Sequence, residues 1–252
     1  IYVYDTPLAV ITLSNGSSVS ATGSADTAEY VAAIAVYNVP DATVNIDATS
    51  SVSGSDYAIF SSEGGVGVSS TTVHNAGLIS GRLQVEELNN SATGILEASL
   101  SAESAQMVGG VNDDGTYYNT IVDSATLANG STVSIVMADD NLGLLAPGDS
   151  EQYRILTVQT ADGGSWTESA VDLQQSVGYS PMLALAWSGL SDADNLVMRA
   201  RFLTPAQAGL SENATAAFNA AYADGLFNFY SSPEDWTPDV SGANMFGKTM
   251  FV

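Results

Sequence analysis

Cysteine is absent from the 252 residues of this chain, which excludes disulfides, thiolate metal sites and a cysteine nucleophile and leaves the redox compartment open. Positive charge is nearly as scarce. Five Lys and Arg stand against 28 Asp and Glu, a formal net charge of −23, and none of the five precedes Arg82. Phosphate recognition needs clustered Lys and Arg, so nucleic acid and anionic membrane surfaces are excluded as partners. His74 is the one histidine. A Ser-His-Asp triad would have to use it, yet no Gly-x-Ser-x-Gly elbow accompanies it, and it reads as a polar turn or strand residue. No apolar run approaches the ~20 residues that a helix needs to cross a bilayer. The sequence opens on Ile1 without a basic segment leading into an apolar stretch, so an exported protein of this kind would already have lost its signal.

What is present is apolar and acidic. Hydrophobic residues make up 45% and charged residues 13%, a composition that can bury a core and is not that of a disordered chain. The acidic excess reads as a solvated surface suited to a salty or calcium-containing medium. The most informative stretch is Val73 to Leu100, VHNAGLISGRLQVEELNNSATGILEASL, where Leu78-Ile79, Leu83, Val85 and Ile95-Leu96 are separated by Asn and Gly. Apolar runs this brief suit strands of a few residues and not helices. Ile79-Ser80-Gly81 echoes Val52-Ser53-Gly54, 27 positions earlier, a separation expected of one structural repeat. The predicted fold class is all-β, a right-handed parallel β-helix (β-solenoid) with a C-terminal helical segment. Stacked rungs add length without a wider interior, which accommodates 252 residues.

In chain order, Ile1 to Leu13 is β-rich with a break at Pro7 and reads as an end strand, followed by a turn at Asn15-Gly16. Rung-like pieces follow at Tyr30 to Tyr37, whose alanines leave a helical turn open, then Thr43 to Ile46, Val52, and Tyr57 to Phe60. The Ser/Gly tract from Ser61 to Ser70 reads as a turn between rungs, and Asp114-Gly115 as a hairpin turn. Leu127 to Val136, LANGSTVSIV, repeats the turn-then-strand unit of Leu13 to Thr22, LSNGSSVSAT. Strands are predicted at Gln152 to Val158, Val171 to Leu173, Met182 to Trp187 and Asn195 to Leu203. In the last, Arg199 and Arg201 alternate with apolar residues. Thr204-Pro205 reads as an N-cap and first helical position, and Ser211 as the cap of a helix from Glu212 to about Tyr230. The layout is therefore 1–126 as rungs, 127–203 as a C-terminal solenoid portion and 204–252 as a helix and apolar tail.

These parts, in this order, resemble the C-terminal portion of a bacterial autotransporter passenger: the Asn75-Ala76-Gly77-Leu78-Ile79-Ser80-Gly81 rung, the Leu127-Ala128-Asn129-Gly130-Ser131 unit, Tyr153-Arg154-Ile155-Leu156-Thr157, the Trp187 strand and the Leu210-Ser211-Glu212-Asn213-Ala214 helix. The likeness runs roughly from Val44 to Ala221. It implies a right-handed β-helix exported through an outer-membrane barrel of the same precursor, with the region similar to Leu127 to Leu203 starting to fold outside the cell as an autochaperone. It also implies a cell-surface or released protein, commonly an adhesin. The barrel is lacking here, which the resemblance would explain by cleavage, and the Trp236 to Val252 tail has no counterpart.

Candidate sites weigh toward structure. Asp113-Asp114, Asp139-Asp140 and Glu86-Glu87 are adjacent carboxylates, which a strand sends to opposite faces; with Asp192 and Asp194 they read as turn residues and solvated charge. Asn112-Asp113-Asp114-Gly115 and Asp192-Ala193-Asp194-Asn195 offer the oxygen ligands that Ca2+ takes, without a full calcium-loop spacing; no other cofactor is expected. Asn75, Asn89 and Asn90 are placed to stack as a ladder, and Arg199 and Arg201 to neutralise carboxylates. Both termini are apolar and β-prone, and unpaired strand edges recruit other strands. Ile1, Tyr2, Val3, Tyr4, Met245, Phe246, Met250 and Phe251 are the expected self-association residues. The expected function is non-enzymatic: an extracellular adhesive or structural β-solenoid that pairs with itself, as a head-to-tail filament, with surface glycans as further partners. The alternative is a carbohydrate-active β-helix enzyme acting on an extracellular polysaccharide.

Overall fold

The computed structural model describes residues 1–23, 31–62, 70–100, 117–137, 150–160, 163–166, 170–176, 183–188 and 195–223. Its strands are β1 (Tyr2–Tyr4), β2 (Ala9–Leu13), β3 (Ser18–Ala21), β4 (Ala32–Tyr37), β5 (Ala42–Ile46), β6 (Ser51–Ser62), β7 (Thr71–Asn75) and β8 (Leu78–Asn90). They continue as β9 (Ile95–Leu100), β10 (Tyr117–Leu127), β11 (Thr132–Met137), β12 (Ser150–Val158), β13 (Gly164–Ser165), β14 (Asp172–Ser176), β15 (Leu183–Ser188) and β16 (Asn195–Phe202), followed by the helix α1 (Glu212–Ala223). The described residues are mostly strand, an all-β architecture, and their 16 strands lie in one sheet dominated by parallel pairs.

The parallel pairs fall into three columns. The first runs β1, β4, the end of β6, the middle of β8, the start of β10, then β12. The second runs β2, β5, β7, then the ends of β8 and β10, then β13. The third runs β3, the starts of β6 and β8, then β9, β11 and β14. The chain visits the columns in that order again and again, and one visit to all three makes a level. β8 crosses all three columns in 13 residues and pairs with β6, β7, β9 and β10.

Alternation within each strand sends every second side chain inward, and register stacks like on like. Ile11, Val44, Val73, Leu88 and Ala125 form one row of partners, and Val19, Val52, Ile79, Leu96, Val133 and Leu173 another. Within these rows Val44, Val73, Leu88 and Val52 have no exposed surface; each such side chain contributes roughly 1.5–3 kcal/mol through burial. Val52 and Ser53 pair directly with Ile79 and Ser80, so the expected echo between them is a register. Glycine is required where it recurs. Gly81 has φ +113°, and a Cβ there would lie 2.4 Å from the Gly54 carbonyl oxygen.

The corner between the second and third columns is a turn used four times. Ser17 N donates to Ser14 O, Ser50 N to Asp47 O, Gly94 N to Ser91 O and Ser131 N to Ala128 O. The first and last of these are the repeated Leu-x-Asn-Gly-Ser units, with Gly16 and Gly130 both at positive φ. A longer repeat escaped the sequence reading. Residues 3–20 and 36–53 share Val, Tyr, Pro, Ala and a closing Ser-Ser-Val-Ser run, eight identities at a constant offset of 33. The structure pairs the two segments strand for strand, and stacks the left-handed residues Asp5 and Asn38 at the same corner.

Tyr30 to Tyr37 resolves to strand from Ala32. The Thr204-Pro205 segment forms a capped turn and not a helix: Thr204 N donates to Gln207 Oε1, Gln207 N to Thr204 Oγ1, and Gly209 ends it at φ +69°. Ser211 does cap α1, accepting from Ala214 N at 3.3 Å. The Ser/Gly tract is not all turn: Ser61 and Ser62 are the last residues of β6, paired with Val36 and Tyr37, and 63–69 lies outside the described residues, as do Asp114-Gly115 and the tail beyond Ala223.

Candidate functional site

The surface that stands out is the outer face of the first level. β1 pairs only with β4, β2 only with β5 and β3 only with β6, so along three edges the main-chain donors and acceptors have no strand partner among the described residues. Ile1 belongs to this edge too: its amino group donates to Ala33 O at 2.7 Å, and its carbonyl accepts from Ala35 N. Of the inward residues here, Ala9 and Leu13 are buried, whereas Val3, Ile11 and Val19 are half-buried. Their register partners one level in, Val36, Val44 and Val52, are 0% exposed. Val3 and Val19 face Val36 and Val52, the same side chain in the same row, and only the inner residue of each pair has a level on both sides.

The lateral surface of this level is apolar as well. Every exposed large hydrophobic residue among the described residues lies in the first ten: Ile1, Tyr2, Tyr4, Leu8 and Val10, with Tyr2 at 68% and Val10 at 63%. Tyr2 stacks near Tyr4 and Tyr37, and the ring contacts continue through Phe60 to Tyr57, over which the Arg82 guanidinium sits at 4.4 Å. Charge is sparse: Asp5 is the only charged side chain in residues 1–23, and it accepts from the Asn38 amide. The expected residues Ile1, Tyr2, Val3 and Tyr4 thus sit together on one open edge. Met245, Phe246, Met250 and Phe251 lie outside the described residues. Leu8, Val10, Ile11 and Val19 were missed, although the alternation in Ala9-Val10-Ile11-Thr12-Leu13 already divides that strand into two faces.

The far end of the first column differs. There β12 takes β16 as an antiparallel neighbour, with a bulge between Arg154 and Leu156, and β16 takes β15 in turn. Arg199 and Arg201 register with Gln152 and Ser150 on one side and Ala186 and Ala184 on the other.

The other predicted residues separate cleanly. Asn75 and Asn90 are buried register partners, with Asn75 Nδ2 donating to Asn90 Oδ1 at 2.7 Å. Asn75 Oδ1 accepts from Gly77 N, and Asn90 Nδ2 donates to Gly94 O, which also accepts from Thr132 N of β11, so the pair holds the corner main chain from inside. Asn89 is not part of this ladder; it points outward and donates to Glu87 Oε1. His74 is exposed beside it in register. Glu86 and Glu87 diverge. Glu87 accepts from Thr72 and Asn89 at the surface, whereas Glu86 turns into the corner and accepts from Thr71 N at 2.6 Å and from Ser61 Oγ. Burial pushes the Glu86 carboxyl above its ordinary value, against the pull of the Thr71 and Ser61 hydrogen bonds, and nearby Asp123 adds to the rise. Asp47 goes the other way: the Ser50 hydroxyl, the Asn15 N–H and Thr49 beside it lower its carboxyl to about 2.

Asp113, Asp114, Asp139, Asp140, Asp192 and Asp194 lie outside the described residues. Among the described residues, no group of three His, Asp or Glu is placed to hold a metal ion, and no helix is long and apolar enough to cross a membrane. No family model, curated protein or solved structure matches this chain.

Proposed function

We propose that this chain is part of an extracellular right-handed β-solenoid of the autotransporter-passenger kind, and that it acts as a structural, adhesive surface protein that associates with itself through the face of its first level. The observation that carries the reading is the contrast between half-buried Val3, Ile11 and Val19 and their fully buried partners Val36, Val44 and Val52. A further β-layer laid on this face would bury those side chains and pair the free edges of β1, β2 and β3, which is strand addition. The scarcity of charge on the level lets two such faces approach in a chain of net charge −23. Three columns visited in constant order support the solenoid, and the resemblance of its parts supports export to the cell surface.

Light scattering and electron microscopy across a concentration series test this, with calcium and salt varied. Association that rises with concentration and is lost in the paired substitution Tyr4→Lys and Val10→Lys is the expected result. Both side chains point to solvent, so the fold tolerates the change. A chain that stays monomeric throughout refutes the reading. Size also distinguishes the modes: two first-level faces in contact stop at a dimer, whereas growth that Met245, Phe246, Met250 or Phe251 to Ser abolishes marks the head-to-tail filament.

A further inference from the structure

We propose that the outward side of the second column is a binding groove for a neutral glycan chain laid along the stack, across the strands. Thr12, Asn45, His74, Asn89 and Thr126 are successive register partners on β2, β5, β7, β8 and β10. At a strand spacing of about 4.8 Å, this row of hydrogen-bonding side chains runs for about 19 Å. It forms one wall of a groove of about 420 Å³, a volume of the order that small-ligand sites have. The repeated corner turns supply the rest of the lining through small residues, among them Ser14, Ala76, Ser91 and Ala128.

The chemistry of the row selects its ligand. Thr12, Asn45, His74 and Thr126 make no side-chain hydrogen bond in the structure, and Asn89 uses only its amide nitrogen, on Glu87, leaving its oxygen to accept. Hydroxyl, amide and imidazole groups both donate and accept, which matches a polymer of hydroxyl groups. An extended peptide would instead seek strand-edge main chain, and here β5, β7, β8 and β10 are paired on both sides, with only β2 at the end of the row keeping an open edge. The Asp47 carboxylate in the lining, Glu87 beside Asn89, and the lack of Lys or Arg in the lining disfavour an anionic polymer. Half-buried Ala76 and Ala128 give the groove apolar patches against which the C–H faces of sugar rings can rest. The groove begins at Thr12 on β2, within the first level, and runs from there down the side of the stack, so its binding is read in dilute protein, apart from self-association.

His74 is the only histidine, so the imidazole carbon-bound protons in NMR report this groove alone. The probes are neutral linear hexasaccharides of glucose (α-1,4 and β-1,4), xylose and mannose, with an oligogalacturonate of equal length as the anionic comparison, titrated into dilute protein. A saturable shift of the His74 signals by at least one neutral hexasaccharide is expected, with the matching disaccharide binding at least about tenfold more weakly because it meets fewer of the row. Asn45→Ala and Asn89→Ala should each weaken binding about three- to tenfold, the loss of one hydrogen bond, while Thr43→Ala, outward on the same β5 but outside the groove, leaves it unchanged. Circular dichroism confirms that each variant is folded. No saturable shift with any neutral hexasaccharide, binding of the galacturonate alone, or binding indifferent to Asn45→Ala and Asn89→Ala would each overturn the proposal.

Discussion

Two carboxylates show how far the surroundings of one residue reset its chemistry. Glu86 holds its proton more tightly when folded than at its ordinary 4.5, because burial outweighs the donors around it. Its contribution to stability is therefore complete below pH 4.5 and is lost as pH rises through the higher folded value. Glu86→Gln keeps an acceptor for Thr71 N and cannot ionise, so its melting temperature relative to the parent should climb between acid and neutral pH; a difference that stays constant with pH contradicts this. Asp47 has the opposite sign. Its carboxyl falls from 3.8 to about 2, so what it contributes is present above pH 3.8 and is lost as pH drops toward 2, and Asp47→Asn should flatten that acid limb of the melting curve. Asn75 makes a third case. Asn75→Ala strands Asn90 Oδ1 and Gly77 N inside the corner, at a cost of about 2–3 kcal/mol by denaturant titration. Replacing both Asn75 and Asn90 by Leu completes the aliphatic row of Leu13, Ile46 and Leu127. The double change should cost less than the sum of the single ones.

At the scale of elements, short strands are legible and their corners only partly so. β5, β7 and β9 announce themselves by alternation and by the turn residues after them, since both signals lie within a few positions. Ser211 marks the start of α1 for the same local reason. Thr204-Pro205 misleads because a capping pair fits one isolated turn as well as a helix. Glycines divide by what their neighbours do. Gly81→Ala would force a Cβ to within 2.4 Å of the Gly54 carbonyl at φ +113°, and should destabilise by more than about 2 kcal/mol. Gly130→Asn meets nothing nearer than 3.6 Å at φ +88°, where Asn is tolerated, and should fall within about 1 kcal/mol. Equal losses at the two positions would mean that φ, and not the approach of the Gly54 main chain, sets the cost.

For the whole molecule, charge and open surface oppose each other. Net charge −23 repels a second copy at long range, while the proposed self-association brings only the nearly uncharged first level into contact. Salt shortens the repulsion to about 8 Å at physiological ionic strength, so sedimentation should show association strengthening as salt is raised, and association that weakens with salt would assign the contact to ion pairs instead. Composition and short-range pattern alone establish a strand-built chain with no cysteine, few basic residues and a capped helix after the strands, because each depends on residue types or on neighbours a few positions apart. Which strand lies over which was decided only in three dimensions. Partners in adjacent levels are 33 residues apart between Val19 and Val52, 15 between Val73 and Leu88, and 40 between Thr132 and Asp172. Corners of different length change the count without disturbing the stack, so no single period survives in the sequence. The inward rows, the Asn75–Asn90 pair, the divergence of Glu86 from Glu87 and the polar row through His74 all follow from register, which packing of side chains between levels selects and one-dimensional spacing cannot encode.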